Sequence, residues 1–338
     1  QRPARTPIVS AGVRVSLLPS RLSPGEAMTS FFADKRVVVT GGAGFLGSCV
    51  VKKLRERGCA SITVPRRATC DLTRWENITR LLDQASPHIV IHLAGVVDNP
   101  VGGGNTAAAF YKNLMMGVQL MEAARQRGVE KMVCLGTASS YPKLAPTPLR
   151  EEELWNGYPD DTRAPYGIAK KILLVQSKVY RQQYAFNCIY LIPANLFGPG
   201  DNFDPHTSYV IPALIRRFFD AVRNGDREVV CQGSGSSTRD FLFVDDCAEA
   251  ILLATERYND GEAVNVGTGF EISIRDLAYH IGRQLGFSGQ IVWDTSKPDG
   301  QPRRRLDGSR AERAFGFRPR TDFFEGLRNR YQVLAAVL

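Results

Sequence analysis

Between Val37 and Gly58 the chain reads VVVTGGAGFLGSCVVKKLRERG, a β-branched run that passes through three glycines straight into an amphipathic helical pattern. Few folds accept that order. Val37, Val38 and Val39 predict a strand buried on both faces, and Phe45, Leu46, Cys49, Val50 and Leu54 recur at the spacing of one helix face. A strand that turns directly into a helix begins a βαβ unit and so a parallel sheet. Gly42, Gly44 and Gly47 fit G-x-G-x-x-G, where glycines allow a tight turn, close approach of a pyrophosphate and close packing of helix on strand. The helix N-terminus then faces the anion, with Gly41, Phe45 and Leu46 in the same cradle. A merely structural glycine turn is the alternative, and the flanking strand and helix argue against it.

The second strand, Ser61 to Val64, indicates which dinucleotide fits. A NAD site places an acid just beyond this strand to accept from the ribose 2′-hydroxyl. Here Pro65, Arg66 and Arg67 follow, with no acid until Asp71. A planar guanidinium suits a 2′-phosphate, so the segment favours NADP over NAD, with Asp71 and Leu72 near the adenine. The competing reading of Arg66 and Arg67 is a solvated loop.

The alternation continues with strand His88–Gly95, whose Leu93, Ala94 and Gly95 are expected at the cofactor, a helix from about Ala107 to Gly128, strand Lys131–Ser139, a helix from about Tyr166 to Gln183, and strand Asn187–Asn195. This predicts an α/β fold, a Rossmann-type doubly wound parallel sheet. At Leu196–Ser208 the texture turns to Gly, Pro and Asp. The expected division is residues 35–195 with 240–268 as an NADP-binding domain, and 196–239 with 269–338 as a smaller C-terminal α/β substrate-binding lobe closing over the cofactor. From about Glu271 this reading expects helix and loop. Residues 1–34 read as a disordered or non-native extension, with Met28 a plausible start, although their Arg- and Ser-rich, acid-poor composition also resembles a transit peptide.

The formal charge of +9 raises the question of nucleic acid, but four arginines and one glutamate lie in residues 1–27, leaving about +6 scattered over the remainder. No basic stripe interleaved with aromatics occurs, so no nucleic-acid partner is expected. Seven dispersed cysteines without a C-x-x-C pair fit reduced thiols in the cytoplasm, and four histidines form no ligand cluster with them, so no metal is expected. No apolar run is long enough for a membrane span.

YGIAK, Tyr166 to Lys170, sets a phenol and an ammonium one helical turn apart. A neighbouring cation favours the phenolate and so lowers a tyrosine pKa toward working pH, fitting it for acid-base chemistry at a carbonyl or alcohol. Thr137, ending the preceding strand, can hydrogen-bond the substrate oxygen, and Asn113 lies in the intervening helix.

TGGAGFLG, HLAG, YGIAK and IPANLFGPGDNF resemble the extended short-chain dehydrogenase/reductases. With PYGIAKK, VIPALIRR, GSGSSTRDFLFVDD, NVGTGFEISIRDL and WDTSKPDGQPRR, the resemblance narrows to the bacterial GDP-L-fucose synthases, from about Lys35 to Phe317. It implies a GDP-4-keto-6-deoxymannose-type nucleotide-sugar substrate, NADPH, hydride delivery to the C4 ketone, Tyr166 as proton donor and a homodimer. It places Pro193 at the cofactor. Asn195, Val210, Leu214, Arg217, Gln232, Arg239 and Lys297 fall at the nucleotide sugar, the arginines suiting a diphosphate.

The family inverts C3 and C5 with a cysteine just after the catalytic Ser/Thr and a histidine just before VIPAL; here those positions hold Ser139 and Tyr209. Removing a carbon-bound proton needs a group titrating near neutrality. Serine does not qualify, and tyrosine is poor without a cation. The 3,5-epimerase step is therefore in question, with His206 a remote substitute. Gln232 also replaces a family aromatic, and VVDNP after HLAG replaces a lysine-glycine run. Two other functions remain open at this point: a 4-epimerase or dehydratase retaining NAD, and a non-catalytic NADP or nucleotide-sugar binding protein.

Overall fold

The computed structural model describes residues 30–96, 106–204, 207–297 and 299–328. Met28, the segment Val97–Pro100 of VVDNP, and His206 lie outside the described residues. The triple valine forms strand β1 (Arg36–Thr40), in which Val37, Val38 and Val39 are buried, and the glycine turn leads into helix α1 (Phe45–Glu56). Then follow β2 (Ser61–Thr63), α2 (Trp75–Ala85), β3 (Ile89–His92), α3 (Thr106–Gln126), β4 (Lys131–Leu135), α4 (Ala164–Tyr184) and β5 (Cys188–Pro193).

Beyond β5 come β6 (Asn195–Phe197), α5 (Val210–Asn224), β7 (Glu228–Gln232), β8 (Thr238–Arg239), β9 (Phe241–Phe243), α6 (Val244–Arg257) and β10 (Ala263–Val266). The six-stranded main sheet runs β2-β1-β3-β4-β5-β10, and every pairing in it is parallel. Helix α1 packs on α6, while α2 and α4 pack on α3, the doubly wound arrangement the alternation predicts. One buried cluster fills this sheet and its helices. It includes Phe32, only 1% exposed, so the packed chain already begins upstream of Lys35.

A second buried cluster gathers Ile211, Leu214, Ile215 and Phe218 of α5 with Leu277 and Ile281 of α7 (Ile274–Gln284) and with Phe323 and Leu327. The segment after Glu271 departs from the helix-and-loop expectation. It supplies β11 (Ile272–Ser273), β12 (Gln290–Asp294) and β13 (Arg303–Arg304) before α8 (Ser309–Phe315). Strand β12 runs parallel to β7, and β11 and β13 flank β8. Strands β11 and β13, of two residues each, leave no periodicity to read, and the five residues of β12 show no alternation of buried and exposed positions.

Candidate active site

Gly47 lies in the first turn of α1 and presses on the loop before it. A Cβ there would stand 2.1 Å from the Gly41 carbonyl oxygen and 2.6 Å from Gly42 Cα. Only glycine lets α1 start this close, which turns its unpaired N–H groups toward the groove. The groove encloses about 750 Å³. Gly41, Gly44, Phe45, Leu46 and Gly47 line it from the glycine turn, and Leu93, Ala94 and Gly95 from the loop after β3. Gly42 instead packs beneath the turn against Val64, and Pro193 ends β5 beside Val266.

Arg66, Arg67, Asp71 and Leu72 line the groove from the loop after β2. Thr73 donates to Asp71 Oδ1 through its N–H at 3.0 Å and its hydroxyl at 2.8 Å, and these bonds hold the carboxyl below the usual carboxylate range. Among the described residues, neither Arg66 nor Arg67 has a carboxylate within ion-pair distance. Arg67 lies near enough to Asp71 to lower its pKa, yet two guanidiniums in this loop still place positive charge on the groove, which fits an additional phosphate.

The loop after β3 is fixed from both sides. His92 is fully buried and shares a 2.8 Å hydrogen bond with Thr40 Oγ1, which accepts from Ala94 N at 3.3 Å. Burial, then the Lys170 charge, pushes the imidazole down to about 3, so it stays neutral. Asn113 uses its carboxamide on the backbone: Oδ1 accepts from Val96 N at 2.9 Å, and Nδ2 donates to Val96 O and Ala109 O, each at 2.8 Å. It holds the loop rather than reaching into the groove.

Thr137 caps the short 3₁₀ turn Ala138–Ser140, its Oγ1 accepting from Ser139 N at 3.2 Å. Helix α4 meets this turn at Gly167, where a Cβ would come within 2.5 Å of Ser139 O. Ser140 Oγ donates to Gly167 O at 2.9 Å. The glycine of YGIAK thus lets the Tyr166 turn of α4 lie directly on the Thr137–Ser140 segment.

The charges around Tyr166 differ from the sequence expectation. Lys170 Nζ reaches Ala94 O at 3.4 Å, and burial pushes its pKa down to about 8. Burial raises the Tyr166 phenol, Tyr209 raises it further, and the cation that draws it down is Arg163. Tyr166 therefore keeps its proton at neutral pH, the state a proton donor needs. Tyr209, at the N-terminus of α5, also lines the groove. Half its surface is open, yet the protein around the ring raises its phenol, against the pull of Arg163 and Arg304.

The remaining predicted residues are dispersed. Asn195 Nδ2 donates to Asp240 O at 2.9 Å, and Arg217 Nη1 to Val230 O at 2.6 Å. Val210 opens α5, Leu214 is buried in the second cluster, and Gln232 and Lys297 are exposed. Arg239, however, stands with two arginines the sequence reading passed over. Strand pairing sets Arg304 beside Arg239, and Arg304 Nη1 makes a long 3.5 Å contact to Ser139 Oγ. Burial, then Arg239 and Arg163, pushes Arg304 down to about 9. The buried Asp240 carboxylate anchors this corner by accepting from Thr268 N at 3.2 Å, Thr268 Oγ1 at 2.6 Å and Leu306 N at 3.3 Å. Arg163 had a legible signal: it shares the helix face of Tyr166 and Lys170 at i, i+3 and i+7. Arg304 had none, being one of three consecutive arginines.

A glycine-turn groove, a Tyr-Lys helix and an adjacent cationic corner lie at the C-terminal ends of the interior strands β1, β3 and β4, and residues 37–267 match the NAD dependent epimerase/dehydratase family. The chain belongs to that family. It is 40% identical over 299 residues to a GDP-L-fucose synthase of Sinorhizobium fredii, covering 88% of this chain and 95% of the relative. In structure it is similar to a GDP-6-OMe-4-keto-L-xylo-heptose reductase from C. jejuni, with TM-score 0.84, 25% identity and coverage of 90% of this chain and 99% of the other. A GDP-mannoheptose C4 reductase from Campylobacter jejuni with NADP bound matches with TM-score 0.80, 26% identity and coverage of 90% and 99%. This enzyme is thus of the extended short-chain dehydrogenase/reductase type. Among its described residues no helix is long and apolar enough to cross a membrane, and no cluster of His, Cys, Asp and Glu could hold a metal ion.

Proposed function

We propose that this enzyme is an NADPH-dependent reductase acting at C4 of a GDP-linked 4-keto-6-deoxyhexose, and that it leaves C3 and C5 uninverted. The names of its relatives support the GDP-sugar class, and the NADP-bound Campylobacter jejuni reductase together with Arg66 and Arg67 supports the cofactor. NADPH supplies the hydride. Tyr166 gives its retained proton to the oxygen at C4. Thr137, whose Oγ1 already accepts from Ser139 N, has its own hydroxyl proton left to donate to that oxygen. Lys170 places positive charge at the Ala94–Gly95 floor, and Arg239 and Arg304 face the diphosphate side.

The observation that carries the absence of inversion is the state of Ser139 and Tyr209. Inversion needs a base that takes a proton from carbon and an acid that returns one to the opposite face. Ser139 Oγ accepts from Arg304, and a serine hydroxyl has no basicity near neutrality; Tyr209 holds its proton because the protein packed around its half-open ring, and then Asp201, raise the phenol. The two positions that would carry the inversion therefore hold donors and no base. The test is to supply GDP-4-keto-6-deoxymannose and NADPH and read the product ring by NMR. The expected product keeps the manno configuration at C3 and C5. GDP-L-fucose as product overturns the reading, and absence of NADPH oxidation overturns the substrate.

The same proposal includes a homodimer through α3 and α4, supported by Tyr111, Val175, Val179 and Tyr184, each at least 45% exposed. Sedimentation at micromolar concentration tests it, a monomer being the contrary result. The seven free cysteines support a reducing cytoplasmic setting.

A further inference from the structure

Arg239 and Arg304 are joined to each other, and to the catalytic segment, through Gln301. This residue is 4% exposed, just before β13. Its backbone carbonyl accepts from Arg239 Nη1 at 2.8 Å, its Oε1 accepts from Arg304 Nε at 3.1 Å, and its Nε2 donates to Pro142 O at 3.4 Å. Pro142 lies two residues beyond the 3₁₀ turn that carries Ser139. The carboxamide therefore ties Arg304 to the chain just beyond the turn that Thr137 caps, while the backbone carbonyl of the same residue holds Arg239.

We propose that Gln301 is a positioning residue for substrate, aiming the Arg304 guanidinium across Ser139 at the nucleotide sugar. An arginine on a long stem has many rotamers, and ordering it before substrate arrives lowers the entropy lost on binding. Gln301 occupies Nε and Ser139 meets Nη1, so the Nη2 edge, which has no protein partner among the described residues, is left for a ligand. The chemistry explains an amide here. A glutamate would also accept from Nε, but it would cancel the positive charge an anionic substrate requires, and it could not donate to Pro142 O. Methionine would keep the volume and lose both bonds.

The inference rests on the GDP-sugar reading of the site, and the experiment separates the two. GDP-mannose, a stable probe, is titrated into NADPH-loaded wild type, Gln301→Met and Gln301→Glu, alongside NADPH affinity and Tm. Loss of the bond to the Arg304 guanidinium predicts roughly tenfold weaker GDP-mannose binding in Gln301→Met with NADPH affinity unchanged, together with a lowered Tm because both carboxamide partners lose their bond. Gln301→Glu is expected to weaken the probe at least as much, and it provides the same comparison should the methionine variant fold poorly. Wild-type affinity in both variants overturns the inference, as does an equal loss of NADPH binding, which would mean a general loosening. A wild type that binds GDP-mannose yet leaves the keto sugar unreduced defeats the proposed reaction while the role of Gln301 stands. A wild type that fails to bind GDP-mannose overturns both.

Discussion

Replacing Gly47 with alanine tests how the glycine turn makes a cofactor site. The new methyl group would meet Gly41 O at 2.1 Å, Gly42 Cα at 2.6 Å and Gly41 C at 2.7 Å. Carbon contacts are optimal near about 3.5–4.0 Å, so the overlap exceeds about 1 Å, and all three neighbours are backbone that no rotamer change can move. Overpacking of this kind costs about 3 kcal/mol, offset by about 1 kcal/mol of better helix propensity for alanine. The net of about 2 kcal/mol predicts a Tm lower by roughly 3 °C for a chain of this length. Relief must come from moving α1 off the turn, which takes its N–H groups away from the pyrophosphate. Losing two charge-assisted bonds predicts NADPH binding at least about a hundredfold weaker by calorimetry. Gly44→Ala is the comparison for stability, because its nearest heavy atom is Gly41 O at 3.3 Å, and it should lower Tm less than Gly47→Ala does. A Gly47→Ala protein with wild-type Tm and NADPH affinity would refute the close-approach argument.

Changing Arg66 and Arg67 together to serine is expected to raise KM for NADPH about tenfold or more while leaving KM for NADH nearly unchanged, since only the 2′-phosphate is lost as a partner; equal effects on both cofactors would contradict that assignment. Tyr166→Phe should lower kcat about 10²–10⁴-fold with NADPH affinity retained, as expected for loss of a general acid; retained turnover would remove Tyr166 from the chemistry. The Lys170 pKa lies near 8 rather than its ordinary 10.5, so its ammonium is present below that pH and lost above it. Reduction rates should fall as pH rises through about 8, while the raised Tyr166 phenol stays protonated. Lys170→Arg should move that limb to higher pH, and a wild-type profile flat to pH 10 would contradict the assignment.

The cofactor half was legible because its signals are local. Three valines, a glycine spacing and a helical face lie within one short segment, and the strand-helix alternation fixes a parallel sheet without knowledge of distant contacts. The substrate side was much less so. Arg304 and Gln301 belong to a stretch, KPDGQPRRR, in which no periodicity distinguishes one arginine from the next. Only the register of β13 on β8 turns Arg304 beside Arg239 and toward Ser139. The YGIAK spacing correctly put Lys170 one turn from Tyr166, yet spacing does not say where a long side chain ends. Its ammonium reaches Ala94 O, and Arg163 is the cation that lowers the phenol. The Tyr209 substitution, conversely, was plain in the sequence. The direction of its shift required the structure, because two arginines pull down a phenol that burial raises.

The central claim is that this site reduces without first enolising its substrate. Its most direct test is the deuterium content of product formed from GDP-4-keto-6-deoxymannose and NADPH in deuterated water, read by mass spectrometry and NMR against an enzyme-free control. With Ser139 and Tyr209 unable to act as bases, C3 and C5 of the product should carry no solvent deuterium beyond the control. Deuterium at either carbon, incorporated at the rate of NADPH oxidation, would contradict the account.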